Sequence, residues 1–240
     1  MKLSVVIPAF NAASHIEAVL QRVAGLVTCG LHEVIVVDDG SRDETARLVR
    51  AWRATGFDLR LFVRTKNGGY GAAMKDGLTL ARASNPEVVA CIHADGQYAP
   101  EVLPAMVDQL TGRGLALLQG SRIAAGTALQ GGMPLYKYVG NALLNRIENC
   151  TLELSLTDYH SGYLVYGPAA LSLPFASFSD SFDFDLEVIA AARAHGLAVG
   201  EMPIPTHYGE EISHLNPLTY GLRVLRVMWN YRRGQYAPCA

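Results

Sequence analysis

Five short apolar runs, each closed by a polar turn, leave this chain few ways to fold. They lie at residues 3–7, 33–37, 59–63, 87–92 and 116–120 and are rich in Val, Leu and Ile. Runs of this length, apolar on consecutive rather than alternate positions, suit strands buried on both faces. The stretches between them at 14–26, 43–56, 72–83 and 100–112 have helical composition. Ser14 and Glu17 are spaced as a capping box, and Pro100 and Gly112 stand where a helix starts and stops. Strands alternating with helices predict an α/β chain with a mostly parallel sheet covered on both sides. With 240 residues, half of them hydrophobic, there is enough material for one such domain.

Beyond Arg122 the pattern changes. Residues 124–133 form a Gly- and Ala-rich stretch, and 134–153 reads as one long helix. A short strand near 163–166, a helix near 184–195 and a strand near 198–202 follow, before a last helix at 218–233. The second half reads as an acceptor-side addition to a nucleotide-binding half, all within one domain: 1–122, 123–216 and a C-terminal helix and tail at 217–240.

Composition excludes several classes of function. A formal net charge of −2 with 18% charged residues gives no bulk attraction for nucleic acid. Cys29, Cys91, Cys150 and Cys239 are widely spaced, which argues against a disulfide framework or a zinc site and fits a reducing cytosol. No basic leader opens the sequence, and no apolar run reaches the roughly 18 residues that read as a membrane span.

In an open parallel sheet, ligands bind beyond the carboxyl ends of the strands. Four polar clusters fall there: Pro8-Ala9-Phe10-Asn11, Asp38-Asp39-Gly40-Ser41, Asn67-Gly68-Gly69-Tyr70-Gly71 and His93-Ala94-Asp95-Gly96-Gln97-Tyr98. One shared site explains all four. In an extended segment His93, Asp95 and Gln97 would leave the backbone on one side, a mixed set suited to Mg²⁺ or Mn²⁺ that also takes phosphate oxygens from a ligand. Asp39 offers acceptors for a base or ribose. Gly69-x-Gly71 follows the third run rather than the first, so it is not the dinucleotide fingerprint.

These motifs, with Gly120-Ser121-Arg122 after them, resemble the inverting family 2 glycosyltransferases of GT-A fold. The nearest subgroup is the dolichol-phosphate mannose synthase-like and polyprenyl-phosphate glycosyltransferases. The resemblance implies that Pro8, Ala9, Asn11, Asp38, Asp39, Asn67, Gly71, Ala94 and Asp95 line a GDP- or UDP-linked sugar donor. It further implies that His93, Asp95 and Gln97 hold a divalent metal on its diphosphate. The family usually carries Asp where His93 stands here, so the clamp has one negative charge fewer and leans toward Mn²⁺. Asp95 and Arg122 are the expected catalytic groups, Arg122 by bidentate contact with phosphate oxygens.

The acceptor decides whether a base is needed. A saccharide hydroxyl requires one, and Asp183 or Asp185 would supply it. A polyprenyl phosphate is already an anion and needs cations instead. Lys137, His160 and His207, with Asp158, Ser161 and Gly162 in a segment similar to the family's Asp-x-x-Ser/Thr-Gly motif, are the expected acceptor contacts. The helix at 218–233 mixes apolar residues with Arg223, Arg226, Arg232 and Arg233. Such a helix either lies on an anionic membrane surface as a peripheral contact on the cytoplasmic face or docks on the domain. A nucleotide-sugar-binding protein without transfer activity is the remaining alternative.

Overall fold

The computed structural model describes residues 1–124, 126, 135–205 and 217–238. Seven strands form one sheet in the order β3-β2-β1-β4-β6-β5-β7: β1 (Leu3–Ala9), β2 (Leu31–Asp38), β3 (Asp58–Val63), β4 (Val88–Cys91), β5 (Leu117–Ser121), β6 (Leu164–Tyr166) and β7 (Val199–Pro203). β3, β2, β1 and β4 are mutually parallel, as are β5 and β7, and β6 runs antiparallel between β4 and β5. The predicted mixed α/β sheet is therefore present, with one reversed strand.

Successive side chains of a strand point to opposite faces, so the apolar runs feed two cores at once. Leu3, Val5 and Ile7 pack with α1 (Ile16–Ala24) and α4 (Leu103–Gly112), the latter preceded by a 3₁₀ turn at Pro100–Val102. Val6, Ile35 and Val37 pack with α3 (Tyr70–Arg82) and, in the same cluster, α7 (Phe184–Ala194). The two remaining long helices, α5 (Leu135–Leu152) and α8 (Pro217–Arg232), contact each other, and α8 also packs on α7 through a face that includes Val224, Val227 and Met228. Two short helices, α2 (Thr45–Ala51) and α6 (Pro168–Leu171), complete the fold. Among the described residues, no helix is long and apolar enough to cross a membrane.

Some local expectations fail for identifiable reasons. Ser14 does not cap α1: the helix begins at Ile16, and the Ala12 carbonyl accepts from His15 and Ile16, so a backbone turn replaces the capping box. The helix expected over 43–56 closes at Ala51, where the Arg53 guanidinium donates to the carbonyls of Arg50 and Ala51. Further along, α3 starts at Tyr70, two residues before the predicted position, because Gly69 takes a φ of 100° that turns the chain into the helix.

Candidate active site

The parallel strands bring the four polar clusters to one edge of the sheet, and hydrogen bonds tie them together. After β1, Asn11 adopts a φ of 49° and its side-chain oxygen accepts from the Arg42 N–H at 2.9 Å, while its own N–H donates to Ser41 Oγ. Asp38 accepts from the Ser41 N–H at 3.0 Å. Asp39, 3% exposed, accepts from the Gly68 and Gly69 N–H groups, both at 2.8 Å, and pairs with Arg64 Nε at 2.9 Å. Its oxygens, read from the sequence as acceptors for a base or ribose, are instead engaged in joining the turns after β2 and β3.

Gly71 likewise serves close packing. A side chain there would strike the Ser179 carbonyl and the Phe184 Cβ, so its lack of one lets the start of α3 press against the turn before α7. Ala72 N–H donates to the Asp180 carbonyl at 3.2 Å, and Lys75 clasps the same turn through Asp180 and the Phe178 carbonyl. Of the predicted donor contacts, Asn67 and Asn11 remain exposed, Pro8 is half-buried, and Ala9 and Ala94 are buried.

The segment after β4 departs from the extended clamp. It is a turn centred on Ala94 and Asp95, in which Asp95 Oδ1 accepts from the Gln97 N–H at 3.0 Å and Gly96 has a φ of 75°. A turn does not alternate its side chains, and His93 accordingly points inward. Its ring lies edge-on between Tyr70 and Tyr98, with centroids 5.3 and 5.0 Å away, and Nε2 is 3.4 Å from the Tyr70 hydroxyl. Burial pushes the imidazole pKa down. The same turn is braced by Arg22, bidentate to Glu101 at 2.9 and 2.8 Å.

Tyr70 connects this turn to α7. Its hydroxyl donates to Asp185 Oδ2 at 2.8 Å, and Phe182 stacks on its ring at 5.8 Å and 10°. Asp185 is 6% exposed, Oδ1 has no hydrogen bond among the described residues, and burial pushes its carboxyl up to about 7. Asp183, the other predicted base, is more engaged: its Oδ1 accepts from Ser179 Oγ at 2.9 Å and pairs with the Arg223 guanidinium at 3.1 Å.

Among the residues expected to meet the acceptor and its phosphate, Arg122 forms a bidentate pair with Asp158 at 2.7 and 3.0 Å. Asp158 is completely buried and also accepts from the Arg122 and His160 N–H groups, so it orients Arg122 and is closed to an acceptor. His160 corrects a second expectation: its side chain is 6% exposed and its pKa is lowered by burial to about 4, so it offers no cation at neutral pH. Ser161 is buried, and its carbonyl accepts from Gln119. Gly162 donates to the Tyr98 hydroxyl at 3.1 Å and abuts His93. His207 and the Lys137 side chain lie outside the described residues.

Among the described residues, no group of three or more His, Cys, Asp or Glu side chains is placed to hold a metal ion. His93, packed against Tyr70, Tyr98 and Gly162, does not fit as a ligand. Asp95, half-buried at the strand edge, fits the usual Mg²⁺ pattern in which one or two carboxylates serve and ligand phosphates complete the shell.

Comparison with known proteins agrees with this architecture. Over residues 4–172 the chain matches the Glycosyl transferase family 2 profile. An uncharacterized protein of Methanocaldococcus jannaschii is 30% identical over 210 residues, covering 87% of this chain and 83% of the relative. The polyprenol monophosphomannose synthase of Mycolicibacterium smegmatis is 29% identical over 203 residues, 83% of this chain and 75% of its own. Dolichol-phosphate mannosyltransferase of Mycosarcoma maydis is 26% identical over 212 residues, 83% of this chain and 68% of its own. The crystal structure of glucosyl-3-phosphoglycerate synthase from Mycobacterium tuberculosis, with phosphoglyceric acid, superimposes with a TM-score of 0.72 at 22% identity, covering all of this chain and 81% of that one. The strand order, the motifs at the strand ends and these matches make the chain an enzyme of glycosyl transferase family 2, with the GT-A fold.

Proposed function

We propose that this glycosyltransferase moves a sugar, with inversion at C1, from a nucleotide sugar to a polyprenyl phosphate or a related membrane-linked acceptor. The observation that carries the choice of acceptor is a second apolar face on each of two helices. Leu222, Leu225 and Trp229 recur at intervals of three and four on α8, opposite its buried Val224, Val227 and Met228, and Trp229 is 61% exposed. Arg226, Arg232 and Arg233, all exposed, flank that stripe. Leu135, Val139 and Leu143 form a similar exposed stripe on α5, which packs against α8. Apolar stripes bordered by arginines suit the boundary of an anionic bilayer. The named synthases among the relatives, acting on dolichol phosphate and polyprenol, support the same class.

In this reading Pro8, Ala9, Asn11, Asn67 and the turns held by Asp38 and Asp39 shape the donor pocket. Asp95 with Gln97 anchors a divalent cation that arrives with the donor diphosphate and would offset charge on the leaving nucleoside diphosphate. Crystal structures of the Mycobacterium tuberculosis synthase with Mn²⁺ and UDP-glucose are consistent with such a cation in this fold. Arg122, oriented by Asp158, faces phosphate oxygens. The acceptor phosphate is already ionised and attacks C1 from the face opposite the leaving group, with no base required. Asp95→Asn is expected to abolish transfer to a short-chain polyprenyl phosphate while circular dichroism stays native. Full activity in that variant would sink the mechanism.

A second reading, transfer to a saccharide hydroxyl, is favoured by Asp185, whose pKa near 7 and unengaged oxygen suit a general base. Asp185→Asn separates the two. A fall in kcat of about 10²-fold or more assigns a base and the hydroxyl acceptor, whereas a rate within a few-fold of wild type keeps the phosphate.

A further inference from the structure

At the seam of α5, α8 and the segment before β6, three buried polar atoms of Glu148 and His160 have no hydrogen bond among the described residues. Glu148 on α5 is 0% exposed, and neither of its carboxyl oxygens has a hydrogen bond among the described residues. His160 Nε2 is equally unpartnered and lies 3.4 Å from Glu148 Oε2. The other ring nitrogen, Nδ1, is 3.0 Å from the hydroxyl of Tyr220 on α8, whose ring meets the imidazole edge-on at 5.3 Å. The backbone N–H of His160 donates to Asp158 Oδ1, in the carboxylate that holds Arg122.

Two proton arrangements would satisfy these atoms, a carboxylate with an imidazolium or a carboxylic acid with a neutral imidazole. The first places an ion pair in a space closed to water, where desolvation outweighs attraction unless the geometry is close. At 3.4 Å the two groups are not in the close charge-assisted contact, near 2.7–2.9 Å, that would offset desolvation, and a neutral hydrogen bond would also have to draw them closer, so burial and the surrounding groups decide between the two states. The surrounding groups also disfavour charge on Glu148. Among the described residues, Asp158 is the carboxylate that opposes charge on Glu148, Asp185 adds to it around Tyr220, Tyr159 and Tyr220 are neutral phenols, and the cation Arg122 already pairs with Asp158. Burial moves Glu148 well above the ordinary carboxylate range and His160 down to about 4, the directions expected of a neutral pair.

We propose that Glu148 is a positioning residue for the acceptor side of the reaction. As a neutral carboxylic acid it donates to His160 Nε2, fixes the ring as the Nδ1–H tautomer against Tyr220, and through the 158–160 segment keeps Asp158 and Arg122 in register with the end of β5. This role rests on the reading of Arg122 as a phosphate-binding group. The state of the Glu148–His160 pair stands independently of that reading.

Two measurements test it. Long-range ¹H–¹⁵N spectra of the full chain are expected to show His160 neutral, with the proton on Nδ1, from pH 5.5 to 8. Glu148→Gln, whose amide N–H still donates, is expected to keep that pattern, and Glu148→Leu to lose the fixed tautomer. With a short-chain polyprenyl phosphate, Glu148→Leu should raise the acceptor KM about tenfold and Glu148→Gln less than about threefold, with UDP and GDP affinity unchanged in both. An imidazolium spectrum at pH 7, or Glu148→Gln as damaging as Glu148→Leu, would overturn the neutral pair. A Glu148→Leu enzyme with the wild-type acceptor KM would overturn the positioning role. If wild type transfers nothing to polyprenyl phosphate, the spectra still decide the state of the pair, and that failure falls on the acceptor reading.

Discussion

Asp185 combines an unusual location with a measurable consequence. Its carboxyl titrates near 7 because the folded chain buries it with one oxygen on Tyr70 and one unengaged. A folded-state pKa above the unfolded value means that folding favours the protonated form. Its contribution is complete below about pH 4 and is lost as the pH rises through 7. Asp185→Asn, which cannot ionise, is therefore expected to melt above wild type by more than about 3 °C at pH 8 in EDTA. About 1 kcal/mol moves a chain of this size that far. The gain should shrink toward pH 5 and level off above 7; a gap independent of pH would show that the carboxyl titrates normally. At this scale the sequence marks the strand ends, where Asp39 and Asp95 stand, but not the contacts made there: Asp39 joins two turns through Gly68 and Gly69. The sequence was silent on Tyr70, Phe182, Glu148 and Tyr220, because each acquires its role from a partner on another element that no local pattern announces, 115 positions away for Tyr70 and Asp185. The inward turn of His93 was hidden for a related reason: periodicity assumed an extended segment, and Gly96 at positive φ allows a turn.

Among the elements, strands were more legible than helix ends. Continuous apolar runs located β1, β2, β4 and β5 to within one or two residues, since burial on both faces leaves little freedom of pattern. The start of α1 was misplaced because a backbone carbonyl, which no side-chain signal announces, does the work of Ser14. Gly71 shows how α3 is seated. Gly71→Ala is expected to cost about 2 kcal/mol by overpacking against the Ser179 carbonyl and Phe184, roughly 6 °C of melting temperature. It should also weaken nucleotide binding, because the turn joined to Asp39 moves with the helix. Unchanged calorimetric affinity for UDP and GDP alongside a native melting point would show that α3 has room to spare.

Taken as a whole molecule, the chain has a core that covers both faces of one sheet, a polar edge where five strands deliver their turns, and two helices with exposed outer stripes. Replacing both Leu225 and Trp229 by Glu is expected to reduce binding to vesicles containing anionic lipid by at least about tenfold. Removing that much apolar area costs more than the 1.4 kcal/mol such a factor requires. Melting temperature should change little, because both side chains point away from the core. Wild-type vesicle binding in the double variant would remove the membrane from the reading, and a dimer lost on substitution would assign the stripes to a second copy of the chain. The reversal of β6 has a consequence of a different kind. Because that strand runs against its neighbours, the segment entering it, rather than the one leaving it, arrives at the shared edge. The chain between the end of β5 and the start of β6 thus leaves from and returns to that edge, so that in the proposed reading the residues meeting the acceptor would belong to one excursion of the chain, separate in sequence from the turns after β1 to β4 that would hold the donor.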